Sequence, residues 1–280
     1  MNERAILLGH DQRMTGVITA PDLHERGSGH PVVLLLNAGL IHHVGPNRMY
    51  VDLSRDLARR GYVSVRFDMS GIGDSDPGSG ELTYVDQSVA DVTEAMDGLQ
   101  AMSGANRFVL MGLCTGAYGA LTVAIRDERV VGCAFIDGYA YPTRRYRIQN
   151  LLWKASQAWR WKRYILRRFG VGTEPDVPDA AMVFQPERLD RDEFDQRVTT
   201  LIGRGCRIHI TYTRFGPQPY NYESQLFDLF PHFDHEKVTL LYLPTANHTF
   251  TLPVPRAELI ASIGEWMESG FTAAAREAVG

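Results

Sequence analysis

A chain of 280 residues is long enough for one large domain with an ample core, or for a core domain carrying an insertion. Its apolar share of 44% and charged share of 22% are those of an ordinary globular protein, and a net charge of −4 argues against a general nucleic-acid binder. No stretch reaches the roughly 18 uninterrupted apolar residues of a membrane span, and the first residues lack the basic start and apolar core of a signal peptide, so a cytoplasmic location is the expectation.

In chain order, residues 5–9 and 14–21 read as two short strands forming a hairpin. Residues 31–39, "PVVLLLNAG", are apolar without polar alternation, as a strand covered on both faces should be. Residues 48–61 place Tyr50, Leu53 and Leu57 at helical spacing and end on Gly61, a favourable residue after a helix. Strand 62–68 leads into the turn-rich 69–80, and 84–102 is a helix with Val85, Val89, Val92 and Met96 along one stripe. Strand 107–114, helix 115–128 and strand 130–137 follow, then strands 207–213 and 238–244 and a closing helix over 255–270. Strands alternating with helices predict a mostly parallel sheet covered on both faces.

Residues 140–205 break that alternation. An insertion there leaves from the carboxyl ends of the strands, where ligands bind in such sheets, and is expected to form a helical cap between core segments 1–139 and 206–280. Its first helix, expected over 144–168, carries nine basic residues and no acidic one. Arg160, Lys162 and Arg163 are candidates for binding an anionic carrier. The same bases could instead pair with acids of this chain or lie on an anionic membrane.

The stretch "GLCTG", residues 112–116, places one thiol between two glycines where an apolar strand becomes a small-residue helix. A nucleophile held on such a turn projects from the top of the sheet, and the glycines are needed because side chains there would collide with neighbouring backbone. The helix beginning at Thr115 directs its N-terminal N–H groups at the thiol, which favours a thiolate and later an oxyanion. Cys133 and Cys206 lie inside apolar runs and read as buried filler in a reducing compartment. No Cys or His pair has zinc spacing apart from the adjacent His42 and His43, so neither a metal nor a cofactor is expected. "RFDMSGIGDSD" lacks the third glycine and the lysine of a phosphate loop, so a nucleotide role is discarded.

Taken together, "LLLNAG", "RFDMSGIGDS", "GLCTG" and "ANHTF" resemble, in order and spacing, the blocks of the α/β-hydrolase superfamily, closest to the serine-aminopeptidase-like and exosortase-associated hydrolases. The resemblance covers about residues 30–137 and 205–270. It implies an α/β-hydrolase fold with a mostly parallel eight-stranded sheet, helices on both faces and a helical cap insertion. Cys114 stands where most members have serine, and in this the chain resembles dienelactone hydrolases and polyhydroxyalkanoate synthases.

The resemblance further implies that His248, after the last strand, is the general base. The acid usually follows the strand at 207–213, but no aspartate stands at that turn. Asp137, which could also be a capping residue, and Glu223 remain as candidates, or the site lacks a true third member. The backbone N–H groups of Leu40 and Thr115 would form the oxyanion hole. Asn37-Ala38-Gly39 stands where many relatives have His-Gly, Gly39 would let the backbone approach the substrate, and His42 and His43 could line the pocket.

The expected function is a thioesterase or acyltransferase working through an acyl-Cys114 intermediate on a small acyl substrate carried by coenzyme A or an acyl carrier protein. An ester or lactone hydrolase and a catalytically silent binding scaffold are the alternatives.

Overall fold

The apolar runs of the sequence become the strands of one sheet. The computed structural model describes residues 1–22, 29–78, 80–156 and 189–271. Its strands are β1 (Asn2–Leu8), β2 (Met14–Ala20), β3 (Val32–Leu36), β4 (Ser64–Phe67), β5 (Phe108–Leu113), β6 (Val130–Ile136), β7 (Arg207–Phe215) and β8 (Val238–Asn247). They form an eight-stranded sheet in the order β1-β2-β4-β3-β5-β6-β7-β8. β1 and β2 form an antiparallel hairpin, β2 pairs antiparallel with β4, and the remaining pairings are parallel.

Side chains two apart in a strand share a face, and the sheet has a core on each side. Val33, Leu35, Val109 and Met111 pack under α1 (Met49–Arg59) and α7 (Pro253–Phe271), against Leu53, Leu57, Leu259 and Ile263. Leu34, Leu36 and Leu110 face the opposite way, toward Val92 and Met96 of α2 (Tyr84–Ser103) and Leu121 of α3 (Thr115–Arg126). Thr83 caps α2 by accepting from Asp86 N at 3.2 Å, and Gly104 ends it with φ 73°. Helix α1 begins one residue later than expected. Asn47 and Arg48 adopt left-handed φ values of 50° and 63°, so the chain enters the helix through a bend.

Among the described residues, two helices fall in the interval read as a cap. Helix α4 (Arg144–Ser156) follows β6. Helix α5 (Arg191–Gly203) precedes β7 and buries Phe194, Val198 and Leu201 in the same core as Leu121 and Ile208. Thus α5 packs with the sheet body rather than apart from it. Arg160, Lys162, Arg163 and the rest of the expected basic helix beyond Ser156 lie outside the described residues. A short helix, α6 (Gln225–Leu229), lies between β7 and β8. Among the described residues, no helix is long and apolar enough to cross a membrane.

The closest backbone approach of this fold lies under the β5–α3 turn. A Cβ on Gly112 would stand 2.1 Å from the carbonyl carbon of Gly116, and one on Gly116 would stand 2.8 Å from the carbonyl oxygen of Asn37. Neither neighbour is a side chain that can swing away. Gly112→Ala is therefore expected to lower unfolding stability in denaturant titration by about 1–3 kcal/mol or more through overpacking. Gly203→Ala is the control: a Cβ there meets nothing within 4 Å, and alanine in a helix should be neutral or stabilising by up to about 1 kcal/mol.

Candidate active site

Between β5 and α3 the chain turns within a single residue. Cys114 has φ 57° and ψ −113°, a conformation that non-glycine residues rarely adopt. The turn is pinned on both sides: Cys114 N donates to Ile136 O at 2.9 Å, and Ala117 N donates to Cys114 O at 3.0 Å. Beneath it the buried Tyr50 hydroxyl accepts from Leu113 N and donates to Leu36 O, each at 3.0 Å, which ties the ends of β5 and β3 together. Cys114 is partly exposed, whereas Cys133 and Cys206 are buried. Burial and the neighbouring Cys206 push the Cys133 thiol pKa well up, so that sulfur is held neutral.

His248 directly follows β8. Its loop is anchored by Phe250, which is fully buried with φ 52°, and by Asn47, whose side-chain amide donates to Thr249 O at 2.9 Å. His248 Nδ1 lies 3.0 Å from Asp137 Oδ2. The Cys114 thiol is the second side chain that acts on the imidazole. With Nδ1 on the carboxylate, Nε2 is the nitrogen left for the sulfur. Burial acts to lower the His248 pKa, but Asp137 and Cys114 together outweigh it and push it up to about 9. His209 gives the contrast. It is fully buried beside Ser262 with no carboxylate bonded to it, and burial takes its pKa down to about 3.

Asp137 is fully buried at the end of β6 with φ 46°. Three donors surround its carboxylate. Thr213 N donates to Oδ1 at 2.7 Å, the Thr213 hydroxyl donates to Oδ2 at 2.6 Å, and His248 shares Oδ2. Gln218 Nε2 reaches Asp137 O at 3.3 Å and the Tyr118 hydroxyl at 3.2 Å. Gly216 leaves room for this arrangement, since a Cβ there would stand 2.7 Å from Thr213 Oγ1 and 2.8 Å from Asp137 Oδ2. Glu223 lies elsewhere: it is exposed and lines a cavity of about 610 Å³ with Arg145, Tyr222 and His235.

The loop after β3 faces the thiol from the other side. Gly39 has φ 58°, and its N–H donates to the Thr115 hydroxyl at 2.6 Å. Leu40 is exposed, and its N–H has no hydrogen-bond partner among the described residues. A buried carboxylate, Asp68, holds the loop in place. It accepts from Asn37 Nδ2 at 2.9 Å and His43 N at 2.5 Å, and lies 2.7 Å from His43 Nδ1. Burial raises the Asp68 pKa, and the bonds from His43 and Asn37 outweigh it, so the carboxyl sits below its ordinary value. Gly73 makes space for this carboxylate: a Cβ there would stand 2.2 Å from Asp68 Oδ2. His43 is thus engaged in holding the loop, while His42 is exposed beside it.

His248 is thus hydrogen-bonded to Asp137 and acted on by Cys114, and the loop carrying Gly39 and Leu40 is tied to Thr115, the residue after the thiol. Among the described residues no group of three or more His, Cys, Asp or Glu could hold a metal ion. Thr213, Gln218 and Asn47 were not singled out from the sequence. Thr213 had one readable signal, its place near the end of the strand after which the acid was sought.

The family model for serine aminopeptidase, S33, matches residues 30–201. No curated protein sequence matches the chain. Solved structures resemble it over nearly its whole length. A lidless α/β serine hydrolase from Xanthomonas campestris is 14% identical with a TM-score of 0.59, covering 98% of this chain and 97% of its own. The mouse α/β hydrolase domain-containing protein 10 is 16% identical with a TM-score of 0.57, covering 95% and 98%. A cold-adapted esterase from an Arctic intertidal metagenomic library is 17% identical with a TM-score of 0.56, covering 96% and 94%.

Two outcomes follow from the carboxylate's surroundings. NMR titration of the His248 imidazole should give a midpoint near 9 in the wild type. In Asp137→Asn it should fall toward 6.5, because the group that favours the charged ring is gone. The raised value also means that this contact stabilises the fold fully below about pH 6.5 and stops doing so as pH rises through about 9. Thr213→Val should lower the midpoint in the same direction by loosening the carboxylate, and Thr213→Ser should restore it. A midpoint unchanged in Thr213→Val would mean that the hydroxyl has no part in orienting Asp137.

Proposed function

The chain belongs to the serine aminopeptidase S33 family of α/β hydrolases, and we propose that it is a hydrolase or acyltransferase whose nucleophile is Cys114 and whose substrate is an acyl thioester. The observation that carries this reading is the His248 imidazole, hydrogen-bonded to buried Asp137 and raised in pKa by both Asp137 and Cys114. An imidazole with a pKa of about 9 carries its proton at neutral pH. A positive ring and the N-terminus of α3 both face the atoms on which negative charge would develop in the reaction.

In the first step Sγ attacks the substrate carbonyl carbon and forms the new carbon–sulfur bond. The carbonyl oxygen becomes an oxyanion facing the N–H groups of Thr115 and Leu40. The intermediate collapses by breaking the bond to the leaving sulfur, which takes the proton from His248 Nε2. In the second step water or an acceptor hydroxyl, amine or thiol gives its proton to Nε2 and attacks the acyl carbon, and Sγ leaves. Asp137 holds the ring in one tautomer throughout.

The leaving group follows from the nucleophile. A thiolate departs with little protonation, and exchange between thiol and thioester is nearly balanced in free energy. Coenzyme A or an acyl carrier protein would supply such a thiol. Esters and lactones with good leaving groups would use the same residues and form the second reading.

Intact-mass measurement after brief incubation with a panel of acyl-CoA thioesters tests the assignment. Wild-type protein should gain one acyl mass increment, and Cys114→Ala should gain none and lose turnover while remaining folded. Cys133→Ala and Cys206→Ala should still be acylated. An adduct formed from activated esters or lactones but from no thioester would establish the second reading. Full turnover in Cys114→Ala would overturn both.

A further inference from the structure

Helix α4 presents its polar side to the body and its apolar side outward. At 100° per residue, Tyr146, Gln149, Asn150 and Trp153 share one side, and Ile148, Leu151, Leu152 and Ala155 cluster on the other. The first group faces the body: those four line a cavity of about 590 Å³ together with Phe215 and Gln218, Leu152 stands at its edge, and Asn221 Nδ2 donates to Tyr146 O at 3.3 Å. On the other side Ile148, Leu151 and Leu152 are each more than half exposed, and no residue of the helix is buried. An amphipathic helix ordinarily turns its apolar stripe to a core. This one turns it away.

The body carries exposed apolar residues at the same edge. Leu40 follows β3, Phe215 ends β7, and Leu252 and Val254 follow β8, so all lie at the carboxyl edge of the parallel strands from which α4 also departs. Each of these is more than half exposed. Single exposed apolar residues are ordinary, but several at one edge of a sheet mark a contact surface.

Charge identifies the occupant. Arg147 and Lys154 flank the stripe on one side, Arg145 on the other, and Arg144 stands at its start, with no acid on the helix. Arg145 also lies over the Tyr222 ring at 4.2 Å. The acids of this edge stand apart from the stripe: Asp74, Asp76 and Glu81 sit on the loop after β4, and Asp86, Asp190 and Glu193 line a cavity of about 860 Å³ with Thr115 and Tyr118. The exposed Glu223 lies in the cavity that Arg145 lines. On α4 itself the exposed Leu and Ile are bordered by cations alone. Cations of one sign bordering Leu and Ile suit a surface of acyl chains under anionic headgroups. A chain of net charge −4 would meet such a surface favourably only through a positive face, which fixes its orientation.

We propose that α4 and the apolar rim beside it dock this protein on an anionic lipid surface, with Ile148, Leu151 and Leu152 among the acyl chains and Arg144, Arg145, Arg147 and Lys154 at the headgroups. The catalytic edge then faces the lipid, so a lipophilic acyl substrate can reach Cys114 without crossing water. That last clause rests on the thioester reading above; the docking does not.

Co-sedimentation of the full chain with vesicles separates the two. Vesicles of phosphatidylcholine with phosphatidylglycerol should bind the protein, vesicles of phosphatidylcholine alone should bind it at least tenfold less, and high salt should weaken the difference. The pair Ile148→Glu and Leu151→Glu should cut binding at least tenfold with an unchanged melting temperature and unchanged turnover of a short water-soluble substrate. Arg147→Gln with Lys154→Gln should reduce the preference for the anionic lipid. Cys114→Ala should bind as the wild type does, so a failed acylation experiment leaves this result standing. Absence of binding, or equal binding to both vesicles, overturns the proposal. So does a large fall in melting temperature in the Ile148/Leu151 variant, which would place the stripe against the chain itself, or conversion of a dimer to a monomer, which would place it against a second copy.

Discussion

With no side chain at Gly112 or Gly116, β5 can turn into α3 across one residue, and the functional groups are arranged around the sulfur that this turn exposes. The consequences extend outward from the turn. Ile136 O accepts the Cys114 amide, which fixes the sulfur relative to the end of β6, where Asp137 begins. The Tyr50 hydroxyl holds the end of β5 to that of β3, from which the loop carrying Gly39 and Leu40 departs. A methyl group at Gly112 would separate the two backbones and displace both neighbours of the thiol together.

The carboxylate that orients His248 stands on β6, and the strand beside it, β7, contributes the donors that hold it. Thr213 uses both its amide and its hydroxyl, and Gly216 leaves the space they require. Without those donors a fully buried aspartate would have unsatisfied oxygens, at a cost of about 1–3 kcal/mol or more for a charged group.

Much of this was legible in the sequence because it is local. The glycine-bracketed thiol, the histidine directly after the last strand and the alternation of apolar runs with helical stripes are patterns within short windows, and they pointed to Cys114, His248 and the eight strands. What was not legible depends on strand order. Asp137 and Glu223 could not be separated until β6 and β7 were seen side by side, with Thr213 across from Asp137. Helix α5 was counted with the cap because the interval around it is long and helix-prone, although Phe194, Val198 and Leu201 lie at core-facing spacing. The pairing of Asp68 with His43 requires β4 beside β3, which their separation of 25 residues does not reveal.

Two histidine–carboxylate pairs share the carboxyl edge, and comparing them shows what such a pair needs in order to act as a base. His43 Nδ1 lies 2.7 Å from a buried Asp68 oxygen, shorter than the 3.0 Å between His248 and Asp137. Distance to the acid therefore does not distinguish them. The backbone does: Asp68 also accepts from the His43 amide and from Asn37, so its carboxylate is committed to fixing residues 37–43 as a rigid loop. Asp137 takes its other bonds from Thr213, outside the histidine's loop, and leaves the His248 ring oriented with its second nitrogen toward Cys114. One pair immobilises the segment that presents backbone N–H groups beside the sulfur, and the other orients the imidazole facing it. The proposed reaction needs both at the same edge, because negative charge develops on the carbonyl oxygen while the leaving group takes its proton from the imidazole.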